Sequence, residues 1–302
     1  MLLKYYNILN NSNFKSVNPK AIIYWSKTCG LANRLDSLIG YKALSSCLEI
    51  PFYLYWKGNW ACNIKINKLF KEENLNLIDK KKFSQLKEDR NIEIFDKNYT
   101  PKNIWNNYIS SFIKEDIYFN HVDKVKEVLS PILPIKEKIT SFLDRRNIQN
   151  AVGIHIRMTD NINAFKYSPN ASDYDYSKVS KIDGFENFII EKLESDNSQL
   201  FFLATDNIKI EKYLLNKYKD NIIIYPKIFY TFNYLYYISF SYRNRRTTTI
   251  EDALIDLILL SKCKYIVGTY YSSYGKFSAW FGKRDYYQVI GDKVEKLVIN
   301  AG

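Results

Sequence analysis

Several times along this chain a short apolar run of strand length leads through a turn into an apolar ladder of helical period, and few folds accept that pattern. Ala21-Ile22-Ile23-Tyr24-Trp25 reads as a buried strand, and Ser26 to Gly30 supplies the turn. Leu31, Leu35, Ile39, Ala43 and Cys47 then recur every four residues with Leu38 beside them, which predicts a helix over Leu31–Cys47. Pro51–Trp56 is the next strand. Strands joined through a helix lie parallel, because a parallel pair needs a long crossover. The segment 57–100 predicts short helices near 64–71 and 82–88 and a strand over Ile92–Ile94. Residues 101–147 read as mostly helical, broken by Pro131 and Pro134, with a helix over Lys136–Arg146. A second series follows, with strands at 151–156, 200–204, 222–225, 265–267 and 286–290. Helices at about 185–193, 208–219 and 250–262, and from Ser273, separate them. The expectation is an α/β chain of two Rossmann-like domains, 1–148 and 149–302, with a ligand crevice between them.

With 302 residues the chain is long enough for both. Its 44 Lys and Arg against 32 Asp and Glu leave +12, which favours an anionic partner: a nucleotide diphosphate, an acidic membrane surface or nucleic acid. The cations are scattered, densest at Lys80–Lys82 and Arg243–Arg246, with no zinc-finger spacing or RNA-binding aromatic signature. Nucleic acid therefore ranks behind a nucleotide. Cysteines 29, 47, 62 and 263 form no C-x-x-C pair and read as reduced core residues of a cytosolic protein. Met-Leu-Leu-Lys-Tyr-Tyr-Asn at the start is followed by polar residues with no signal-peptide h-region, and no apolar run approaches the length of a bilayer span. The expected location is cytoplasmic. The basic, aromatic stretch 227–247 is placed to meet an acceptor or the inner face of an anionic membrane.

Chemistry concentrates after strand ends, where open parallel sheets bind ligands. In Val152-Gly153-Ile154-His155-Ile156-Arg157-Met158-Thr159-Asp160, alternation puts His155 and Arg157 on one face. An arginine there is costly unless it meets an anion, either Asp160 in an ion pair or a ligand phosphate. Thr205-Asp206-Asn207 follows the next strand, and Asp206 serves either as an ordinary helix cap or as a site residue. Thr269-Tyr270-Tyr271-Ser272-Ser273 follows another, with Ser272 and Ser273 expected to cap the next helix and offer an anion site. The helix 250–262 is apolar all round, so Asp256, four residues after Asp252, needs a partner such as an arginine or the paired N–H donors of guanine. In the first domain, Asn33 and Arg34 sit in the first turn of the helix after the strand. Arg34 is either a solubilising surface charge or a contact to a ligand phosphate or sugar. An arginine, a serine-started helix and a buried carboxylate around one crevice suit a nucleotide diphosphate bound as a leaving group, with no need of a metal.

Four segments carry a resemblance. Gly-Leu-Ala-Asn-Arg-Leu (30–35), Gly-Ile-His-Ile-Arg-Met-Thr-Asp (153–160), Phe-Leu-Ala-Thr-Asp (202–206), and Asp-Leu-Ile-Leu-Leu-Ser (256–261) running to Gly-Thr-Tyr-Tyr-Ser-Ser (268–273) resemble the fucosyltransferase superfamily. That superfamily includes NodZ, the core alpha-1,6-fucosyltransferases and the protein O-fucosyltransferases. The resemblance implies a GT-B fold and inverting, metal-independent transfer from a GDP-sugar, foremost GDP-fucose, to a glycan or lipid-linked glycan held by the N-terminal domain. It implies that Arg157, Ser272 and Ser273 contact the diphosphate and that His155 and Asp256 contact the base, with Asp206, Asn33 and Arg34 completing the donor site. The sequence departs from the core-fucosylating enzymes in two places. Met158 replaces a second arginine, and Phe165 falls near the place of their general-base glutamate. Asp160, Glu251 or a residue of the N-terminal domain is left as the base. A different nucleotide-sugar donor and an inactive nucleotide- or glycan-binding protein of the same fold are the alternatives.

Overall fold

The computed structural model describes residues 14, 19–27, 29–59, 62–157, 178–229 and 248–298. The chain separates into two compact units, Met1–Leu133 and Pro134–Ala301.

In the first unit β1 (Ala21–Ser26) leads into α1 (Leu31–Cys47), followed by β2 (Phe52–Trp56). After 3-10 turns at Ile66–Lys68 and Glu72–Asn74 come α2 (Lys80–Leu86), β3 (Ile92–Phe95), α3 (Pro101–Ile104), which runs on as a π-helical turn, and α4 (Glu115–Val128). The strands form a parallel sheet in the order β2-β1-β3. The apolar ladder of α1 is buried at Leu31, Leu35, Leu38, Ile39 and Ala43, as its spacing predicts. Gly40 lets α3 and α4 approach: an added Cβ would lie 2.5 Å from Ile104 Cδ1, and the Tyr118 hydroxyl donates to the Gly40 carbonyl at 3.0 Å.

The second unit takes nearly all of α5 (Leu133–Arg145), where Pro134 lies in the first turn, whose N–H groups have no helical partner to lose. Phe142 of α5 meets Phe202 and Tyr225 edge-on. The elements that follow are β4 (Val152–Ile156), α6 (Ile182–Ser195), β5 (Phe201–Thr205), α7 (Ile208–Lys217) and β6 (Ile222–Ile224). Then come α8 (Ile250–Leu260), β7 (Ile266–Thr269), α9 (Ser273–Gly282), β8 (Tyr286–Ile290) and β9 (Lys293–Leu297). The six-stranded order is β6-β5-β4-β7-β8-β9, parallel except for β9. Every residue of β4, β5 and β7 is buried, which is why these strands read as continuous apolar runs. The chain leaves β4 toward β5 and β6, then returns to its other side with β7 and β8. That reversal is the topological switch point at which such sheets take ligands. The edge strand β9 was not expected from the sequence: Lys293, Glu295 and Lys296 are exposed on it, and charge on an edge strand discourages pairing with other chains.

Among the described residues no helix is long and apolar enough to cross a membrane.

Candidate functional site

The C-terminal ends of β4, β5 and β7 converge. Thr269, the last residue of β7, ties β4 down from the side: its hydroxyl donates to the His155 carbonyl at 3.2 Å and accepts from the Arg157 N–H at 2.9 Å. His155 is 6% exposed and stacks on Tyr274 with ring centroids 4.8 Å apart. Its Nδ1 has no hydrogen-bond partner among the described residues. Burial pushes the imidazole down to about 3, with help from the Arg157 and Lys227 charges, so the ring is neutral at neutral pH. His155, Arg157, Asp206, Thr248, Asp256 and Tyr274 line one recess together with Ala204, Thr205 and Ala253.

Asp206 lines that wall and does not cap α7. Asn207 does so, its side chain accepting from the N–H groups of Lys209 and Ile210 at 2.9 and 3.3 Å. The two aspartates of α8 divide in the same way. Asp252 is taken up by the N-cap residue Thr249, whose hydroxyl donates to the carboxylate at 2.7 Å and accepts from the Asp252 N–H at 2.9 Å. Asp256, one turn on and 5% exposed, faces the recess. Lys227 Nζ donates to its Oδ2 at 2.9 Å, while Oδ1 has no partner among the described residues. Burial pushes this carboxyl up to about 6 against the opposing pull of Lys227.

Ser272 occupies the N-cap position of α9 with extended backbone, but its hydroxyl makes no capping bond. The hydroxyl is buried with no partner among the described residues, so the N-cap side chain leaves the first N–H groups of α9 uncapped. Ser273 is the first residue of the helix. Just before them Tyr271 adopts φ 59, a left-handed conformation rare for a bulky residue and found most often where a site needs it.

The first unit has a different end to its sheet. Arg34 is fully buried, neither a surface charge nor at an open mouth. Nε donates to the Cys29 carbonyl at 2.8 Å, Nη1 donates to the Lys57 carbonyl at 2.7 Å, and the guanidinium lies over the Trp56 ring. It thereby clamps the turn after β1 to the chain after β2, and only Nη2 lacks a partner among the described residues. Asn33 beside it is half-buried. Among the described residues no group of three or more His, Cys, Asp or Glu side chains is placed to hold a metal ion. Asp160, Met158 and Phe165 lie outside the described residues, as do most of the stretches 160–183 and 227–247.

Solved structures match this arrangement along nearly its whole length. NodZ alpha-1,6-fucosyltransferase soaked with GDP-fucose aligns at a TM-score of 0.58 and 11% identity, covering 93% of this chain and 99% of that one. NodZ co-crystallised with GDP aligns at 0.56 and 12% identity, covering 93% and 98%. The Arabidopsis thaliana FUT1 complex with GDP aligns at 0.52 and 12% identity, covering 95% and 74%. The fold is that of the GT-B fucosyltransferases. By sequence, no family model matches the chain and no curated protein does.

Within that fold the structure gathers His155, Arg157, Asp206 and Asp256 at one recess and puts Ser272 and Ser273 at the start of α9 in the same unit. It sets Asn33 and Arg34 in the other unit. Two contributors escaped the sequence reading. Tyr274, one residue past the serines, was not singled out. Lys227 looked like the first cation of a basic loop, although its place right after Pro226, at the end of β6, puts it at the same sheet edge as the other site residues.

Proposed function

We propose that this chain is an inverting, metal-independent glycosyltransferase that takes a GDP-sugar, foremost GDP-fucose, and passes the sugar to a glycan or lipid-linked glycan. The observation that carries this reading is the pairing of Arg157 and Asp256 in one recess at the switch point of a sheet whose fold matches NodZ soaked with GDP-fucose. Asp256 offers an unpartnered carboxylate oxygen to the N–H edge of guanine. Neutral His155 contributes a ring nitrogen beside it, and Asp206 borders the nucleoside. Arg157 grips the diphosphate, joined by the Ser272 hydroxyl, Ser273 and the uncapped N–H groups of α9.

In the reaction the acceptor hydroxyl oxygen attacks C1 of the sugar from the face opposite the nucleotide. The C1–O bond breaks, and its electron pair passes to the β-phosphate oxygen, where Arg157 and the helix start stabilise the growing charge. The hydroxyl proton goes to a base, for which Asp160 stands first by its place three residues after Arg157; Glu251 and a residue of the first unit are the other candidates. The first unit holds the acceptor, with Asn33 and the last donor of Arg34 at its strand end. The protein works in the cytoplasm, at the inner membrane face when the acceptor is lipid-linked.

A thermal-shift panel of nucleotides and nucleotide sugars, followed by assay of GDP release from the best sugar, tests this directly. Stabilisation by GDP and turnover of GDP-fucose support it. Stabilisation by UDP- or ADP-sugars alone would move the donor elsewhere, the alternative that Met158 in place of a second arginine favours. Stabilisation without turnover would leave a binding protein.

A further inference from the structure

Lys227 stands three residues past the end of β6 with its side chain wholly enclosed. Its Nζ lies 2.9 Å from Oδ2 of Asp256 on α8 and 3.3 Å from Oε2 of Glu211 on α7. One buried cation thus faces two buried carboxylates contributed by separate helices. Such a cluster is a poor way to stabilise a core, since well-packed apolar side chains of similar volume usually do as well or better. Its geometry is asymmetric in a way that stability does not require. Lys227 hydrogen-bonds Asp256 Oδ2 and meets Glu211 Oε2 at ion-pair distance only, while Asp256 Oδ1 has no partner among the described residues and Asp256, unlike Glu211, lines the recess.

We infer that Lys227 is the positioning residue for nucleobase selection: it anchors Asp256 through Oδ2 so that Oδ1 is presented, ionised and fixed in direction, to a base carrying adjacent N–H donors. Glu211 holds the ammonium from the other side and fixes where the anchor sits. The inference rests on the GDP-sugar reading above and adds a residue to it. The titratable and charged groups around Asp256 come from several elements: Lys227 and Tyr225 from the chain after β6, Glu211 from α7, Asp252 from its own helix, and His155 of β4 with Arg157 just after it, on the same recess. Burial, Glu211 and Asp252 all favour the protonated carboxyl, and Lys227 opposes them. Without the lysine the carboxyl holds its proton at neutral pH and becomes partly a donor, which cannot accept from two N–H groups at once.

Calorimetric titration of the full chain with GDP, inosine diphosphate (which lacks the 2-amino donor) and inorganic pyrophosphate, between about pH 5.5 and 9, tests this. Lys227→Met is expected to weaken GDP about 30-fold near neutral pH, to abolish the preference for GDP over inosine diphosphate, and to regain affinity as the pH rises. Pyrophosphate affinity is expected to stay unchanged, which a general loss of structure would not allow. Lys227→Arg is expected to keep most of the preference. Should Lys227→Met fail to fold, the double variant Lys227→Met with Glu211→Gln removes one charge of each sign and carries the same expectations. GDP affinity and pH profile equal to wild type in either variant would overturn the inference. So would a wild-type protein that binds GDP and inosine diphosphate equally, a result that leaves the GDP-sugar reading standing. Wild-type protein that binds no GDP at all would sink that reading first and this inference with it.

Discussion

Arg34 and Arg157 each follow the first strand of their unit's parallel sheet, and their surroundings have little in common. Arg34 is fully buried, with two donors on the carbonyls of Cys29 and Lys57 and its plane over Trp56. Beside it the chain is further knotted: Lys27 pairs with Asp96, and Asn59 donates to the Lys27 carbonyl at 2.8 Å. Arg157 is half-buried on the wall of a recess that His155 and Asp256 also line, and each of those two keeps a buried polar atom unpartnered among the described residues. Buried polar groups are normally satisfied. Both strand ends leave such atoms unpartnered among the described residues, with Trp25 Nε1, Ser26 Oγ and Arg34 Nη2 at the first, so what separates them is the recess that His155, Arg157 and Asp256 line at the second and the backbone carbonyls that clamp the arginine at the first. The same residue type at equivalent places does different work because of what its donors meet.

The sharpest way to break this contrast is to remove each arginine in turn. Arg157→Ala is expected to lower sugar transfer by about 10²–10³-fold while the melting temperature stays close to wild type, as a turnover assay beside a thermal melt will show. Arg34→Met is expected to do the reverse. It should cost about 3 kcal/mol of stability in denaturant unfolding, since two charge-assisted bonds go and two carbonyls lose their donor. The protein that remains folded should bind GDP as before. If Arg34→Met left stability intact and abolished GDP binding, the two strand ends would have to exchange roles.

Asp256→Asn sharpens the comparison within the recess. It is expected to weaken GDP by about 10- to 100-fold, with little effect on pyrophosphate. In the unsubstituted protein GDP affinity is expected to fall as pH drops through about 6, because the ionised carboxyl is the form that accepts from guanine. His155 gives a stability signature of its own. Its pKa is lowered from 6.5 to about 3 in the fold, so the stability it contributes is complete above about 6.5 and is lost as pH falls from there toward 3. Asp256, raised from 3.8 to about 6, contributes in the opposite sense, and its share is lost as pH rises through that window. His155→Phe, which keeps the stack on Tyr274, is expected to melt with less acid sensitivity than wild type. The smallest effect expected is for Thr269→Val, about 1–2 kcal/mol of stability, with a modest fall in turnover as the β4 end loosens.

Much of this was legible in the chain. The ladder of α1 and the buried strands β1, β4, β5 and β7 announce themselves, because strands covered on both faces carry uninterrupted apolar runs. The gathering of the candidate residues His155, Arg157, Asp206 and Asp256 at one recess was legible too, since residues that follow such strands converge whatever the loops do. What escaped did so for physical reasons. The charges on β9 look like a tail until β8 pairs with it. From 57 to 79 the chain is held by 3-10 turns and isolated bridges that leave no periodic mark, whereas α2 and β3 beyond it fall close to where they were expected. Lys227 is separated in sequence from both Glu211 and Asp256, and nothing short of the folded sheet shows that it meets them both. The burial of Arg34 was hidden in the same way, because its partners are backbone carbonyls, which any residue supplies.

The central claim is that the β4, β5 and β7 ends form a guanine nucleotide site. Titration of the protein with GDP, UDP and ADP in a calorimeter, repeated on Asp256→Asn, addresses it most directly. The account predicts saturable binding of GDP in clear preference to UDP and ADP, with that preference gone in the variant. Equal binding of all three, or a GDP preference untouched by the loss of the carboxylate, would contradict it.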